Sequence, residues 1–155
     1  MTGDEQAVPY FDGHRVELID PPWDAASQAA YDAFMALGPA ARLTHTRHVA
    51  AYRADVLAME GKDTAPLSDT VLWSQVAPEV FGVEERDGAH YVFVECECAW
   101  EAEHGLMLVD ADALIIKAGA YDGHVTNANA FANESLRDVV YYANNPDLTT
   151  YRDKT

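Results

Sequence analysis

The 155-residue sequence has little positive charge, few cysteines and no long apolar run. Only 10 lysines and arginines stand against 26 aspartates and glutamates, which gives a formal net charge of −16. We do not expect this chain to bind nucleic acid or anionic membranes, because both need basic residues to meet their phosphates. The charge favours a basic protein partner, although a role in solubility alone explains it equally well.

The two cysteines, Cys96 and Cys98, are too few and too close together for the disulfide framework of a secreted domain. The acidic N-terminus lacks the basic segment and apolar core of a signal peptide. No stretch approaches the roughly 20 apolar residues that cross a bilayer. We therefore expect a soluble cytoplasmic protein with reduced thiols.

Motifs of several common enzyme classes are also missing from the sequence. It contains no P-loop, no glycine-rich dinucleotide motif after a strand, no nucleophile elbow and no His-Glu-x-x-His zinc motif. The sequence therefore predicts a binding protein rather than an enzyme, with no cofactor.

The composition is that of one globular domain, since 49% of the residues are apolar. We expect residues 1–12 to be flexible and 14–19 to form a strand that ends at two prolines. Helical spacing of apolar residues then predicts a helix from Asp24 to Gly38, a second from about 40 to 60, and a short third one after Ser68 or Asp69.

After Pro78 the apolar pattern changes to a two-residue alternation that is typical of strands. A hairpin turn at Asp87-Gly88 joins strands near 80–85 and 90–98, and two further strands follow at 106–110 and 113–118. We expect an irregular segment at 119–135, a last helix or strand over 136–143, with helix favoured, and a polar tail after 146. The order predicts an α+β fold over residues 1–155, with an N-terminal strand and helices before an antiparallel β-meander.

The strand at 90–98 has two distinct faces. Val92, Val94, Cys96 and Cys98 form an apolar face, where a free cysteine behaves as a small buried residue. The other face carries two aromatic residues and two carboxylates in one row: Tyr91, Phe93, Glu95 and Glu97. This second face is either a binding surface or a solvated side of the sheet.

Acidic residues are concentrated around this strand. Between Glu79 and Asp112 there are ten acids and one base, Arg86. Solubility does not require such clustering, so the pattern favours a binding face. We predict that Glu95, Glu97, Glu101 and Glu103 contact the partner, with Tyr91 and Phe93 as aromatic anchors of the type enriched in binding hot spots.

Cys96, Cys98 and His104 define the alternative, a metal-binding or hydrolytic site. Zinc sites usually space their cysteines two to four residues apart on a turn, whereas these two lie in a strand and point to the core. A thiol nucleophile would need a base and a positive environment, and nothing near Cys98 lowers its pKa. We therefore predict no metal, and the alternative ranks second.

The run from Cys96 to Leu106 contains Trp100, Glu101, Glu103, His104 and Gly105 and resembles the DUF6985 family of uncharacterised bacterial domains. The resemblance covers about thirty residues well and the rest by order of elements. In physical terms the motif is a structural turn: Trp100 anchors the loop, Gly105 supplies a permissive backbone and His104 bonds loop carbonyls.

The resemblance to this family implies no established chemistry. Small acidic domains of this kind are similar to the immunity proteins of bacterial polymorphic toxin systems. The expectation is therefore an immunity-type inhibitor whose acidic sheet face covers the basic groove of a toxin such as a nuclease.

Overall fold

The computed structural model describes residues 4–19 and 24–153. Its helices and strands, in chain order, are β1 Asp4–Val8, β2 His14–Leu18, α1 Ala25–Met35, α2 Pro39–Met59, α3 Asp69–Ser74, β3 Val76–Arg86, β4 Ala89–Cys98, β5 Leu106–Ala111, β6 Leu114–Gly119, α4 Asn127–Ala130, β7 Val139–Tyr141 and β8 Thr150–Tyr151.

Strands β1 to β6 form one sheet in the order in which they follow along the chain. Neighbouring strands are antiparallel except for β2 and β3, which are parallel because the chain returns through three helices between them. The predicted α+β class is confirmed, with the meander running from β3 to β6. The parallel pairing of β2 with β3 was not predicted from the alternation of apolar and polar residues.

Local sequence explains where the two long helices begin and end. The carboxylate of Asp24 accepts a 2.8 Å bond from the Ser27 N–H and caps α1, as predicted. Pro39 starts α2, where its missing N–H costs nothing. Gly61, which follows the end of α2, has a φ of +68°, a backbone conformation that favours glycine.

Helices α1 and α2 pack on the same side of the sheet, which we call the helix face. Phe81, Val92, Val94 and Leu108 of the sheet join the helical residues there in the main core. A smaller cluster on the opposite side contains Met107, Val109, Ile116 and Val125. Strands β5 and β6 are therefore buried on both faces, as their continuous burial indicates.

Three predictions about local structure need correction. The segment 1–12 is not flexible from Asp4 onward, since β1 is followed by a 3₁₀ turn whose Tyr10 is fully buried; residues 1–3 lie outside the described part. Within 136–143, where a helix was favoured over a strand, Val139–Tyr141 forms strand β7, because valine and tyrosine favour extended backbone. The apolar residues whose helical spacing predicts α2 are not all buried, since Leu43 and Met59 are exposed.

The polar C-terminal tail takes part in the fold. Thr150 in β8 contacts His48 Nδ1 at 2.7 Å and accepts a 3.1 Å bond from the Tyr141 N–H. Buried Asp55 of α2 holds the preceding loop, accepting bonds from the Tyr141 hydroxyl (2.6 Å) and the Asn144 N–H (2.7 Å). These contacts fix the last segment to α2 and to β7, with which β8 forms a separate two-stranded sheet.

None of the helices in the described part of the chain is long and apolar enough to span a bilayer.

Candidate functional site

The side of the sheet opposite the helix face carries the predicted acidic row. Residues paired directly across strands share a face, so the pairs Glu84–Tyr91, Val80–Glu95 and Ala77–Glu97 all lie on this side. The pairing continues through Glu17, opposite Val80, to Glu5 in β1. We call this surface the acidic face and define it by Glu5, Glu17, Glu84, Tyr91, Phe93, Glu95, Glu97 and Tyr121.

The hairpin between β3 and β4 sets the register of the acidic face. Asp87 and Gly88 both have positive φ, 51° and 81°, which is the geometry of a two-residue turn with aspartate and glycine. Phe93 lies over Gly82, where a Cβ would meet the phenyl ring at 3.1 Å and Ile19 at 2.8 Å. Glycine at 82 therefore leaves the space that the Phe93 ring and the Ile19 side chain occupy.

Negative charges on this face are close enough to affect one another. Partial burial and the neighbouring Glu79 raise the pKa of Glu95 above its ordinary value. Tyr121, 42% exposed just beyond β6, has its pKa raised by burial and by the carboxylates of Glu95 and Glu84. Carboxylates held this close together repel one another, and such a surface is complementary to a cationic surface on a partner.

Part of the same side is already covered by the chain itself. Tyr91 and Phe93 are half-buried and pack against the small cluster that contains Met107, Val109 and Val125. The predicted aromatic anchors therefore serve the core on one side and leave only part of each ring accessible. Tyr121, which the sequence did not single out, presents more of its surface.

The loop after β4 is held by Trp100 and Gly105. Trp100 is buried, with its ring edge-on to Tyr52 at 5.8 Å between centroids. The Tyr52 hydroxyl donates a 2.6 Å bond to the Gly105 carbonyl. Gly105 has a φ of +65°, and a Cβ there would lie 2.3 Å from the Cys96 carbonyl oxygen. Glycine is thus required both by the dihedral and by the close approach of two backbone segments.

Glu101 is committed to the same loop. Its carboxylate accepts bonds from the N–H groups of Glu103 (2.9 Å) and His104 (3.1 Å), and Oε2 lies 2.8 Å from His104 Nδ1. Partial burial opposes ionisation, but the bonds from His104 and Glu103 lower the pKa of Glu101 overall. The hydrogen bond to the Glu101 carboxylate in turn raises the pKa of His104. The His104 ring is therefore bound to a carboxylate rather than to a loop carbonyl, and Glu103 is the exposed acid of this loop.

The structure does not bring Cys96, Cys98 and His104 together as a cluster. Both thiols are buried on the helix face, and Cys98 Sγ lies 3.7 Å from the Glu101 carbonyl oxygen. Burial raises the pKa of the Cys96 thiol well above its usual value and that of Cys98 to about 11. The exposed His104 ring is occupied by Glu101. Neither thiol has the thiolate character that a nucleophile or a metal ligand needs.

We expect both thiols to be inert in the folded protein. Iodoacetamide at pH 8 should alkylate Cys96 and Cys98 at least about 100-fold more slowly in the native chain than in guanidinium, because burial suppresses both access and thiolate. Intact-mass measurement over time follows the reaction. Rapid modification of either native cysteine would contradict the buried geometry.

Sequence reasoning missed Glu84, Glu17 and Tyr121 as members of the acidic face. Glu84 was within reach, because a two-residue turn at Asp87-Gly88 places it directly opposite Tyr91. Glu17 was not, since its place depends on the parallel contact between β2 and β3. The sequence also did not indicate that Asp110 of β5 is buried on the helix face.

Comparison with models of protein families returned a match. The model of a family described as "Domain of unknown function (DUF6985)" matches residues 2–125, which include the six-stranded sheet, the three larger helices and the Trp100–Gly105 loop. Searches of the curated proteins and of the solved structures returned no match.

Proposed function

The chain belongs to the DUF6985 family of domains of unknown function, and we propose that it is a binding domain whose acidic face engages a basic protein partner. In its most specific form the proposal is an immunity-type inhibitor that covers the basic substrate groove of a toxin, such as a nuclease. The observation that carries it is the gathering of five glutamates and three aromatic residues on one side of the sheet.

Electrostatics support this proposal at two levels. The net charge of −16 steers encounters with a cationic surface at long range. At short range, Glu84, Glu95 and Tyr121 lie within mutual influence, and a basic partner would relieve the repulsion between the carboxylates. Tyr121 and the accessible parts of Tyr91 and Phe93 supply the aromatic contacts that commonly dominate binding energy.

The four predicted contact glutamates lie in two places, on the sheet and in the adjoining loop. Glu95 and Glu97 lie on the acidic face, while Glu103 is exposed in the adjoining loop. Glu101 already accepts bonds from its own loop, so its contribution to binding would be indirect. We therefore assign partner contact to Glu84, Glu95 and Glu97 in the first place.

Charge reversal on the acidic face tests the proposal. The triple variant Glu84→Lys, Glu95→Lys, Glu97→Lys should weaken binding to a purified basic toxin domain at least about 100-fold at 0.15 M salt. Binding of the unchanged chain should weaken steadily with added salt, because the contact is between charges. Surface plasmon resonance with the purified toxin domain measures both effects, and inhibition of the toxin in vitro gives a functional readout.

A matched control distinguishes an effect of the acidic face from an effect of the change in net charge. Asp32→Lys, Glu60→Lys, Asp63→Lys changes three exposed acids on the helical side by the same total charge. It should weaken binding less than about threefold at the same salt. Equal losses in the two triple variants would remove the acidic face from the proposal, and binding that ignores salt would remove its electrostatic basis.

A further inference from the structure

Three possible metal ligands meet at the distal end of the β3–β4 hairpin. Glu85 and His90 are direct partners across the two strands, on the helix face. The start of α1 lies against this end of the sheet and brings Asp24 to them. One ligand atom from each of Asp24, Glu85 and His90 lies within 4.8 Å of the other two.

His90 carries an unexplained polar atom. Its Nε2 is buried and has no hydrogen-bond partner, and the nearest carboxylate oxygen, Glu85 Oε2, is 3.7 Å away, which is too far for a hydrogen bond. Buried nitrogen atoms in folded proteins are almost always satisfied by protein, water or an ion. His90 thus has an unpartnered ring nitrogen close to carboxylates from two separate elements.

We propose that Asp24, Glu85 and His90 bind one zinc ion, with water completing the coordination. The ion would join the N-terminus of α1 to the β3–β4 hairpin and so fix the first helix on the sheet. This site lies on the helix face, away from the acidic face, and the inference does not depend on the proposed function.

The donor set selects the class of metal. One imidazole nitrogen and two carboxylate oxygens are a common zinc set, whereas calcium and magnesium prefer oxygen alone. Ligand atoms of a tetrahedral zinc ion lie about 3.4 Å apart, given metal bonds of about 2.1 Å. His90 and Glu85 are already near that separation at 3.7 Å, and the exposed Glu85 side chain can close the rest by rotation.

Asp24 can cap the helix and bind the ion at once. Its Oδ1 accepts the Ser27 N–H bond, which leaves Oδ2 for a metal. Fixing one ligand in this way reduces the entropy lost when the ion binds.

Calorimetric titration tests the site with zinc chloride alone. The full chain, stripped with EDTA and transferred to chelator-free buffer, should bind one equivalent, and saturating zinc should raise its Tm. His90→Ala and Glu85→Gln should each weaken zinc affinity at least about tenfold. Asp24→Asn should do the same while keeping the helix cap, since asparagine caps equally well.

Two controls make the outcome decisive. His14→Ala removes an exposed imidazole at the start of β2 and should leave zinc affinity unchanged. Circular dichroism of each variant without zinc confirms that the fold is retained, and Asp24→Asn and Glu85→Gln serve if His90→Ala unfolds. Absence of saturable binding overturns the proposal, as does a His14→Ala variant that loses as much affinity as the three ligand variants.

Discussion

Gly105→Ala is expected to destabilise the chain by about 3 kcal/mol or more, lowering Tm by about 6–12 °C. The new Cβ would lie 2.3 Å from the Cys96 carbonyl oxygen, and this obstacle is backbone rather than the end of a movable side chain. Relief requires the loop to move away from β4. That movement would break the 2.6 Å bond from the Tyr52 hydroxyl to the Gly105 carbonyl and loosen the Trp100 ring beside it.

Gly123→Ala is the matched control for this substitution. Gly123 also has a positive φ, +79°, but a Cβ there would meet nothing within 4 Å. It should therefore cost only the left-handed strain, about 1 kcal/mol. Thermal unfolding of both variants measures the difference. If the two glycines cost the same, the close approach to Cys96 contributes nothing and the motif glycine is needed for its dihedral alone.

Patterns that depend on near neighbours predicted most of the fold. The cap at Asp24, the end of α2 at Gly61 and the turn at Asp87-Gly88 each follow from the preference of one or two residues. The two-residue period separated the faces of β4 correctly, with Val92 and Cys96 buried. The parallel contact between β2 and β3 joins segments about 60 residues apart and leaves no local pattern.

The same distinction applies to the candidate site. Alternation placed Tyr91, Phe93, Glu95 and Glu97 on one face, because strand geometry requires it. The sequence treated four glutamates, Glu95, Glu97, Glu101 and Glu103, as equivalent contact residues, but the Glu101 carboxylate accepts hydrogen bonds from the backbone of its own loop. The meeting of Asp24 with the hairpin was equally hidden, because it depends on how α1 crosses the sheet.

Asp110 is the buried group with the largest expected effect on stability. It lies on the helix face of β5, 2% exposed, and neither carboxylate oxygen has a partner among the described residues. Burial raises the pKa of Asp110 to about 8. Tyr10, whose hydroxyl lies 2.9 Å from His45 Nδ1, is close enough that burial and the Asp110 charge together raise its own pKa. In the described part of the chain the carboxylate therefore has no hydrogen-bond partner, and its burial favours the neutral form.

A raised pKa in the folded state means that the folded chain binds this proton more tightly than the unfolded chain, in which an aspartate titrates near 3.9. The contribution of Asp110 to the free energy of unfolding is therefore retained below about pH 4 and lost as the pH rises towards 8. Asparagine has the same shape and no charge. Asp110→Asn should match the unchanged chain near pH 4 and exceed it at pH 9 by about 3–5 kcal/mol, or about 10 °C in Tm.

Thermal unfolding at each pH, for the variant and the unchanged chain side by side, measures this difference directly and cancels the titration of all other groups. Asp112→Asn, an exposed turn position two residues further along, should follow the unchanged chain throughout. A stability gain from Asp110→Asn that is the same at pH 4 and pH 9 would mean that packing rather than charge limits this position. A loss at both would mean that the carboxylate is satisfied by a group that asparagine cannot replace, and the protein would then hold a buried ionic contact where the core now shows an unpaired acid.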